Sequence, residues 1–179
     1  MIIHLTRADF KDMPWANGKG TTVEMLRVER DGSLLLRLSR AVVVDDGAFS
    51  LFPDIERNLT VLSGPGFWLV GKGVQLHALP LRPVAFAGDV LVRAEGVTAA
   101  SVDFNVMTGT SLPRPQVWVH EAGHISAGGA VLALESGRIG GLEVAQYDLV
   151  LSDQTLSHDV PVIAVHAEGV QQYLSTARV

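Results

Sequence analysis

At 179 residues, with no cysteine, a net charge of −5 and scattered Lys and Arg, the chain can bury one substantial core or two small halves packed together. There is no basic stripe to follow a nucleic-acid backbone. The absence of cysteine excludes disulfides, thiolate nucleophiles and Cys-based zinc sites, and no apolar stretch reaches the ~18 to 20 residues of a membrane-spanning helix. The opening MIIHLTRADFKDMPW lacks the basic-then-apolar pattern of a secretory signal, so a cytoplasmic protein without membrane or nucleic-acid partners is expected.

The first local signal is a helical turn over Thr6 to Asp12. It is followed by WANGKGTTVE, residues 15 to 24. Asn17-Gly18 marks a turn, and Gly20 again permits positive φ, so this loop can present consecutive N–H groups as an anion-receptive nest. The spacing is neither a Walker loop nor a dinucleotide fingerprint. From there, short Val- and Leu-rich runs recur every eight to twelve residues between turn signals such as Asp31-Gly32, Asp45-Asp46-Gly47, Gly64-Pro65-Gly66, Gly71-Lys72-Gly73, Gly88-Asp89, Glu95-Gly96, Gly140-Gly141 and Glu168-Gly169. That rhythm predicts an all-β sandwich or barrel.

Period-two alternation splits three of these strands into faces. Thr22, Glu24 and Leu26 lie opposite Thr21, Val23 and Met25; Leu34, Leu36 and Leu38 lie opposite Leu35, Arg37, Ser39 and Ala41; and Asp103, Asn105 and Met107 lie opposite Val102, Phe104 and Val106. Antiparallel sheets commonly keep one wet face, and alternation alone favours solvent for these polar rows. Asn105 beside Met107, and Ser39 beside Leu35, suit the lining of a small ligand cavity instead. The stretch TGTSLPRPQ, residues 108 to 116, is the expected joint between an N-terminal half, residues 1–110, and a smaller C-terminal half, residues 111–179, tightly packed on it. A further short helical turn is expected near Glu168 to Leu174.

HEAGH, residues 120 to 124, matches the H-E-x-x-H pattern of zinc peptidases, whose two histidines bind metal from one helix face. Here Val117, Trp118 and Val119 lead in as a strand, and Gly128-Gly129 would weaken a helix by about 1 kcal/mol per glycine relative to Ala. A hairpin turn at Glu121-Ala122-Gly123 is predicted, with His120 and His124 at the ends of two strands. No H-x-H pair occurs either, so no metal is expected; no cofactor is expected and no catalytic residue is assigned.

WANGKGTTVE, then LRLSRAVVVDDGAFSLFPDIERNLTVLSGPGFWLV, then VAFAGDVLVRAEGVTAASVDFNVM, together resemble the HutD/Ves family, associated with bacterial histidine-utilisation operons. The matching blocks are W-x-N-G-x-G-x-T-x-E, an R-x-S-x-A strand leading into an acidic-Gly-x-Phe-Ser-x-Phe-Pro turn with an Arg after it, and F-x-G-D to D-F-N-x-M. The resemblance implies a cupin-type double β-sandwich, a bicupin of the RmlC-like jelly-roll type. It also implies an accessory or regulatory role in histidine catabolism and a small anionic metabolite, of the urocanate or formylglutamate type, as partner. Cupin sandwiches often dimerise, so a homodimer is an expectation too. Two departures stand out: Asp54 where the family usually has Gly, and TGTSLPR where it often has an Arg, for which Arg114 is the nearest replacement. The positions that match the family's blocks and carry polar chemistry are Asn17, Thr22, Glu24, Arg37, Ser39, Arg57, Asp103 and Asn105. Arg37 and Arg57 are the candidates for holding a carboxylate through the guanidinium fork. Glu24 and Asp103 are expected to brace those arginines or accept from the ligand, while Asn17, Thr22, Ser39 and Asn105 orient it. Trp15, Phe49, Phe104 and Met107 are expected in the core. The alternatives are a metal-independent enzyme using Glu24 for acid–base chemistry and a protein-interaction scaffold.

Overall fold

The structure, a computed structural model, describes residues 1–16, 20–126 and 128–168. The strands are β1 (Ile2–Leu5), β2 (Lys11–Pro14), β3 (Thr21–Arg30), β4 (Ser33–Val43), β5 (Gly47–Ala48), β6 (Ile55–Ser63), β7 (Phe67–Gly71), β8 (Val74–Ala78), β9 (Val84–Ala87), β10 (Val92–Glu95) and β11 (Ser101–Gly109). After residues 110–115 come β12 (Gln116–His120), β13 (Gly123–Ile125), β14 (Gly129–Ala133), β15 (Gly137–Ile139), β16 (Leu142–Val144), β17 (Leu149–Ser152), β18 (Leu156–His158) and β19 (Val162–His166). The expected helical turn near Thr6 to Asp12 is a single 3-10 turn over Arg7–Asp9. Most of the stretch Glu168 to Leu174 lies outside the described residues.

The strands form four sheets stacked as two sandwiches. In the first, a six-stranded sheet β2-β3-β4-β11-β6-β9 faces the smaller sheet β5-β10-β7-β8 over Leu59, Val61, Phe67, Leu69 and Phe86. In the second, the sheet β1-β17-β14-β19-β12 faces β13-β18-β15-β16 over Val131, Ile139, Val150, Val162 and Ala164. A third core joins the two large sheets back to back: Leu36, Leu38, Phe104 and Val106 from the first sandwich lie among Leu132, Leu149, Leu151 and Ile163 from the second. The central strands of the five-stranded sheet are therefore apolar on both faces. Leu149 and Leu151 face the seam while Val150 faces the inner core, and this explains the unbroken apolar runs of the C-terminal half. Strand β1 departs from a division at residue 110, because Ile2–Leu5 pairs antiparallel with β17 and so belongs to the second sandwich.

The β3–β4 hairpin closes through Asp31-Gly32, both at positive φ (51° and 77°). That is the geometry in which a two-residue loop follows the strand twist, and Gly at the second position adopts it without penalty. The expected alternation on these two strands fails at two bulges. Ser39 pairs with Glu24 and Leu38 with Leu26, leaving Met25 as an extra residue on β3; likewise Leu35 is the extra residue on β4. Met25, Leu26, Leu35 and Leu36 consequently all enter the seam core. Leu26 does not share the face of Glu24, nor Leu35 that of Arg37, since each bulge re-aims the chain by one residue.

Candidate functional site

The inner face of the six-stranded sheet is apolar at one end and polar at the other. Strand β11 crosses its centre between β4 and β6, with Asn105 opposite Ser39 on one side and Leu59 on the other. The row Asp103, Asn105 and Met107 thus lies beside Arg37, Ser39 and Ala41 of β4 and Arg57 of β6. These residues, with Thr22 of β3, line a cavity of about 420 Å³ whose remaining walls include Trp15, Phe49, Ser50 and Phe52. The polar rows face this cavity and not bulk water, because the small sheet and the segment from Ala48 to Phe52 cover them.

Arg57 is 5% exposed. One terminal nitrogen donates to Asn105 Oδ1 at 3.2 Å, the other to the Ser50 backbone carbonyl at 3.4 Å, and Nε has no acceptor. The guanidinium carbon lies 5.3, 5.3 and 4.9 Å from the ring centres of Phe49, Phe52 and Phe86, within the range of cation–π attraction. Burial pulls the Arg57 pKa down to about 10, opposed by Asp103. Asp103 is 1% exposed, and its carboxylate accepts from the Asn105 amide. Burial raises the Asp103 pKa to about 7, against the pull of Arg57, the Asn105 amide and the Ala41 backbone. Asn105 is thereby the bridge between a buried cation and a buried carboxyl.

Arg37 is held differently. Its Nε donates to Glu24 Oε2 at 2.5 Å, and its other nitrogens meet Met13 Sδ at 3.4 Å and Met107 Sδ at 4.0 Å. Thr22 Oγ1 accepts from the Trp15 indole at 2.9 Å, which fixes the ring against the cavity. Of the predicted set, Thr22, Arg37, Ser39, Arg57, Asp103 and Asn105 all line the cavity. Glu24 does not; it braces Arg37 from behind. Asn17 lies outside the described residues.

Several expectations need correction. Trp15, Phe49 and Met107 line the cavity; of the four residues expected in the core, Phe104 is fully buried at the seam, Met107 is buried and Phe49 packs partly buried against the core of the first sandwich, so Trp15 is the one that departs. Arg114 does not replace a missing cavity arginine, because its exposed side chain pairs with Glu56 at 3.2 Å. Ser50 and Phe52 fall in the matching Phe-Ser-x-Phe-Pro block, but their place in the site does not follow from it. The available signal was the spacing Phe49-x-x-Phe52 a few residues before Arg57, which sets two rings against one guanidinium.

HEAGH is not a hairpin. His120 ends β12 and His124 is the second residue of β13, but β12 pairs with β19 in one sheet and β13 with β18 in the other, so the turn is a corner between sheets. The His120 ring lies edge-on to His158, with centroids 6.1 Å apart. Among the described residues no three His, Asp or Glu side chains are grouped to hold a metal, and Glu143 is turned to Arg138 at 3.2 Å.

Two stacked antiparallel sandwiches, the first holding a polar cavity against its larger sheet, define the protein as a bicupin. The fold recurs at low identity: protein Ylba from E. coli superposes with a TM-score of 0.59 at 10% identity, covering 93% of this chain and 90% of that one. The chain belongs to the HutD family, whose model matches residues 7–172. HutD from Pseudomonas fluorescens SBW25 is 26% identical with a TM-score of 0.80, covering 94% of this chain and 100% of that one. A conserved protein of unknown function from Pseudomonas aeruginosa PAO1 is 27% identical with a TM-score of 0.81 over the same shares. Protein Ves of Cronobacter sakazakii (strain ATCC BAA-894) is 37% identical over 116 residues, 62% of this chain and 64% of Protein Ves. The match thus spans slightly less than two thirds of that curated relative's length.

Proposed function

We propose that the protein is a cytoplasmic accessory or regulatory protein of histidine catabolism that binds a small carboxylate metabolite, of the urocanate or formylglutamate type, in the cavity of its first sandwich. The observation that carries this reading is the pair of largely buried guanidinium groups, Arg37 and Arg57, on the wall of one cavity of about 420 Å³. Such a volume accommodates a ligand of about a dozen non-hydrogen atoms. A guanidinium fork matches two carboxylate oxygens, and the Phe49 and Phe52 rings offer apolar surface for the rest of the ligand. Family membership supports the metabolic setting, and no helix among the described residues is long and apolar enough to cross a membrane.

Thermal denaturation tests it: urocanate or formylglutamate should raise Tm by mass action on the folded state, and Arg57→Ala or Arg37→Ala should remove the shift. A flat response across acids of the pathway overturns the reading. The enzymatic alternative now centres on Asp103, because Asp103 lines the cavity with a pKa near neutrality, whereas Glu24 is engaged by Arg37 and lies outside it. NMR after prolonged incubation with the same acids would show a product that Asp103→Asn fails to form.

A further inference from the structure

Among the described residues the cavity wall carries three ionisable side chains, Arg37, Arg57 and Asp103, and Glu24 pairs with Arg37. Counted with Asp103 ionised, the two arginines balance the two carboxylates and these four groups together are neutral. Admitting a carboxylate then leaves one uncompensated negative charge in a buried place, which is strongly disfavoured. With Asp103 protonated the empty site holds one positive charge, and the occupied site becomes neutral. We propose that entry of an anion into this cavity is coupled to uptake of a proton by Asp103, so that the protein binds carboxylates against a neutral acid. This rests on the anion-binding reading above and adds its pH regulation.

The geometry favours Asp103 over the other carboxylate as the group that takes the proton. Glu24 accepts from Arg37 at 2.5 Å and lies 3.6 Å from Arg27, which is itself paired with Glu29, so the Glu24 carboxylate is met directly by guanidinium groups. Asp103 has no direct arginine contact among the described residues; it meets Arg57 only through the Asn105 amide. Facing it from β4 and β6 are Arg37 and Arg57, and from the covering segment come Ala48, Phe49, Ser50 and Phe52, none of them charged. An arriving carboxylate competes with Asp103 for the field of Arg57 and adds like-charge repulsion, and both effects raise the proton affinity of Asp103. Its position near neutrality in the empty protein sets the coupling within the physiological range. Below that point the proton is already in place and affinity is independent of pH. Above it, each pH unit weakens binding by up to about tenfold until the occupied state also loses its proton.

Isothermal titration calorimetry with trans-urocanate at pH 8, in HEPES and in Tris, reads the proton directly, because the two buffers differ in ionisation enthalpy. The expected result is uptake of between half and one proton per ligand, and a Kd that rises about tenfold from pH 7.5 to 8.5. In Asp103→Asn the buffer dependence should vanish, and the Kd should be flat and at pH 8.5 no weaker than the wild type's at pH 6.5. Equal heats in the two buffers with urocanate bound overturn the coupling alone and leave the binding reading intact. Absence of binding by urocanate and by formylglutamate at every pH overturns both. If Asp103→Asn does not fold, the carboxyl ¹³C resonance of Asp103 in the wild type decides: its titration midpoint must move up when urocanate saturates the site, and an unmoved midpoint overturns the assignment.

Discussion

Asp103→Asn should change how stability depends on pH, independently of any ligand. The carboxyl is 1% exposed and burial raises its pKa from an ordinary 3.8 to about 7. Between those values the unfolded chain gives up the proton while the folded chain keeps it. Folding is therefore fully supported below about pH 4 and loses support as pH rises toward 7, levelling off above it. An interval of about three units at 1.36 kcal/mol each sets an upper figure of ~4 kcal/mol. Water reaching the cavity wall relaxes the folded state, so about 2 to 4 kcal/mol is expected. Asn keeps the shape and cannot ionise. Urea denaturation of both proteins at pH 4.5, 6 and 8, compared as a difference, cancels every other titrating group. That difference should move in favour of Asp103→Asn by about 2 to 3 kcal/mol between the extremes, since pH 4.5 already lies above the unfolded pKa. A difference constant to within about 0.5 kcal/mol would show that Asp103 is ionised in the folded protein throughout, and would refute the reasoning.

Phe104→Ala removes a fully buried ring from the seam between the sandwiches and should cost about 3 to 5 kcal/mol in urea denaturation; a loss below about 1 kcal/mol would mean that the seam collapses around the vacancy. Gly66→Ala should be more damaging than Gly73→Ala although both sit at positive φ, because a Cβ at 66 would stand 2.1 Å from the Ala78 carbonyl oxygen whereas nothing lies within 4 Å at 73. The cost at 73 should be about 1 kcal/mol and that at 66 clearly larger, and equal costs would refute the steric account. Protein purified without a His tag should carry no stoichiometric zinc by elemental analysis, and zinc present at one per chain and lost on His120→Ala would restore the metal reading of HEAGH.

Much of this was legible along the chain. The Asp-Gly turn at 31 and 32, the repeated short Val and Leu runs, and the face of β11 that carries Asp103, Asn105 and Met107 follow from local preference and period-two alternation. Both act within a few residues, so a linear reading captures them. The matching family blocks also named most of the cavity's polar residues. The same alternation misassigned Leu26 and Leu35, because a bulge depends on how a strand pairs with its neighbour and leaves little trace in the strand's own residues. The glycines and flanking strand residues of HEAGH argue against a zinc helix, yet the corner it makes between two sheets depends on β18 and β19, more than thirty residues further on.

What the sequence determined by itself was an all-β sandwich or barrel with a row of polar side chains on strands of its first half, and its resemblance to the HutD/Ves family implied the bicupin. Tertiary structure alone decided that this row lines a cavity, that Glu24 braces Arg37 from outside the lining, and that β1 belongs to the second sandwich through pairing with β17. Each of these depends on contacts between distant segments. Whether a polar group on a strand is wet, paired or buried is set by what the rest of the chain lays over it, and the free energy of a buried charge such as Arg57 or Asp103 is set by those same neighbours.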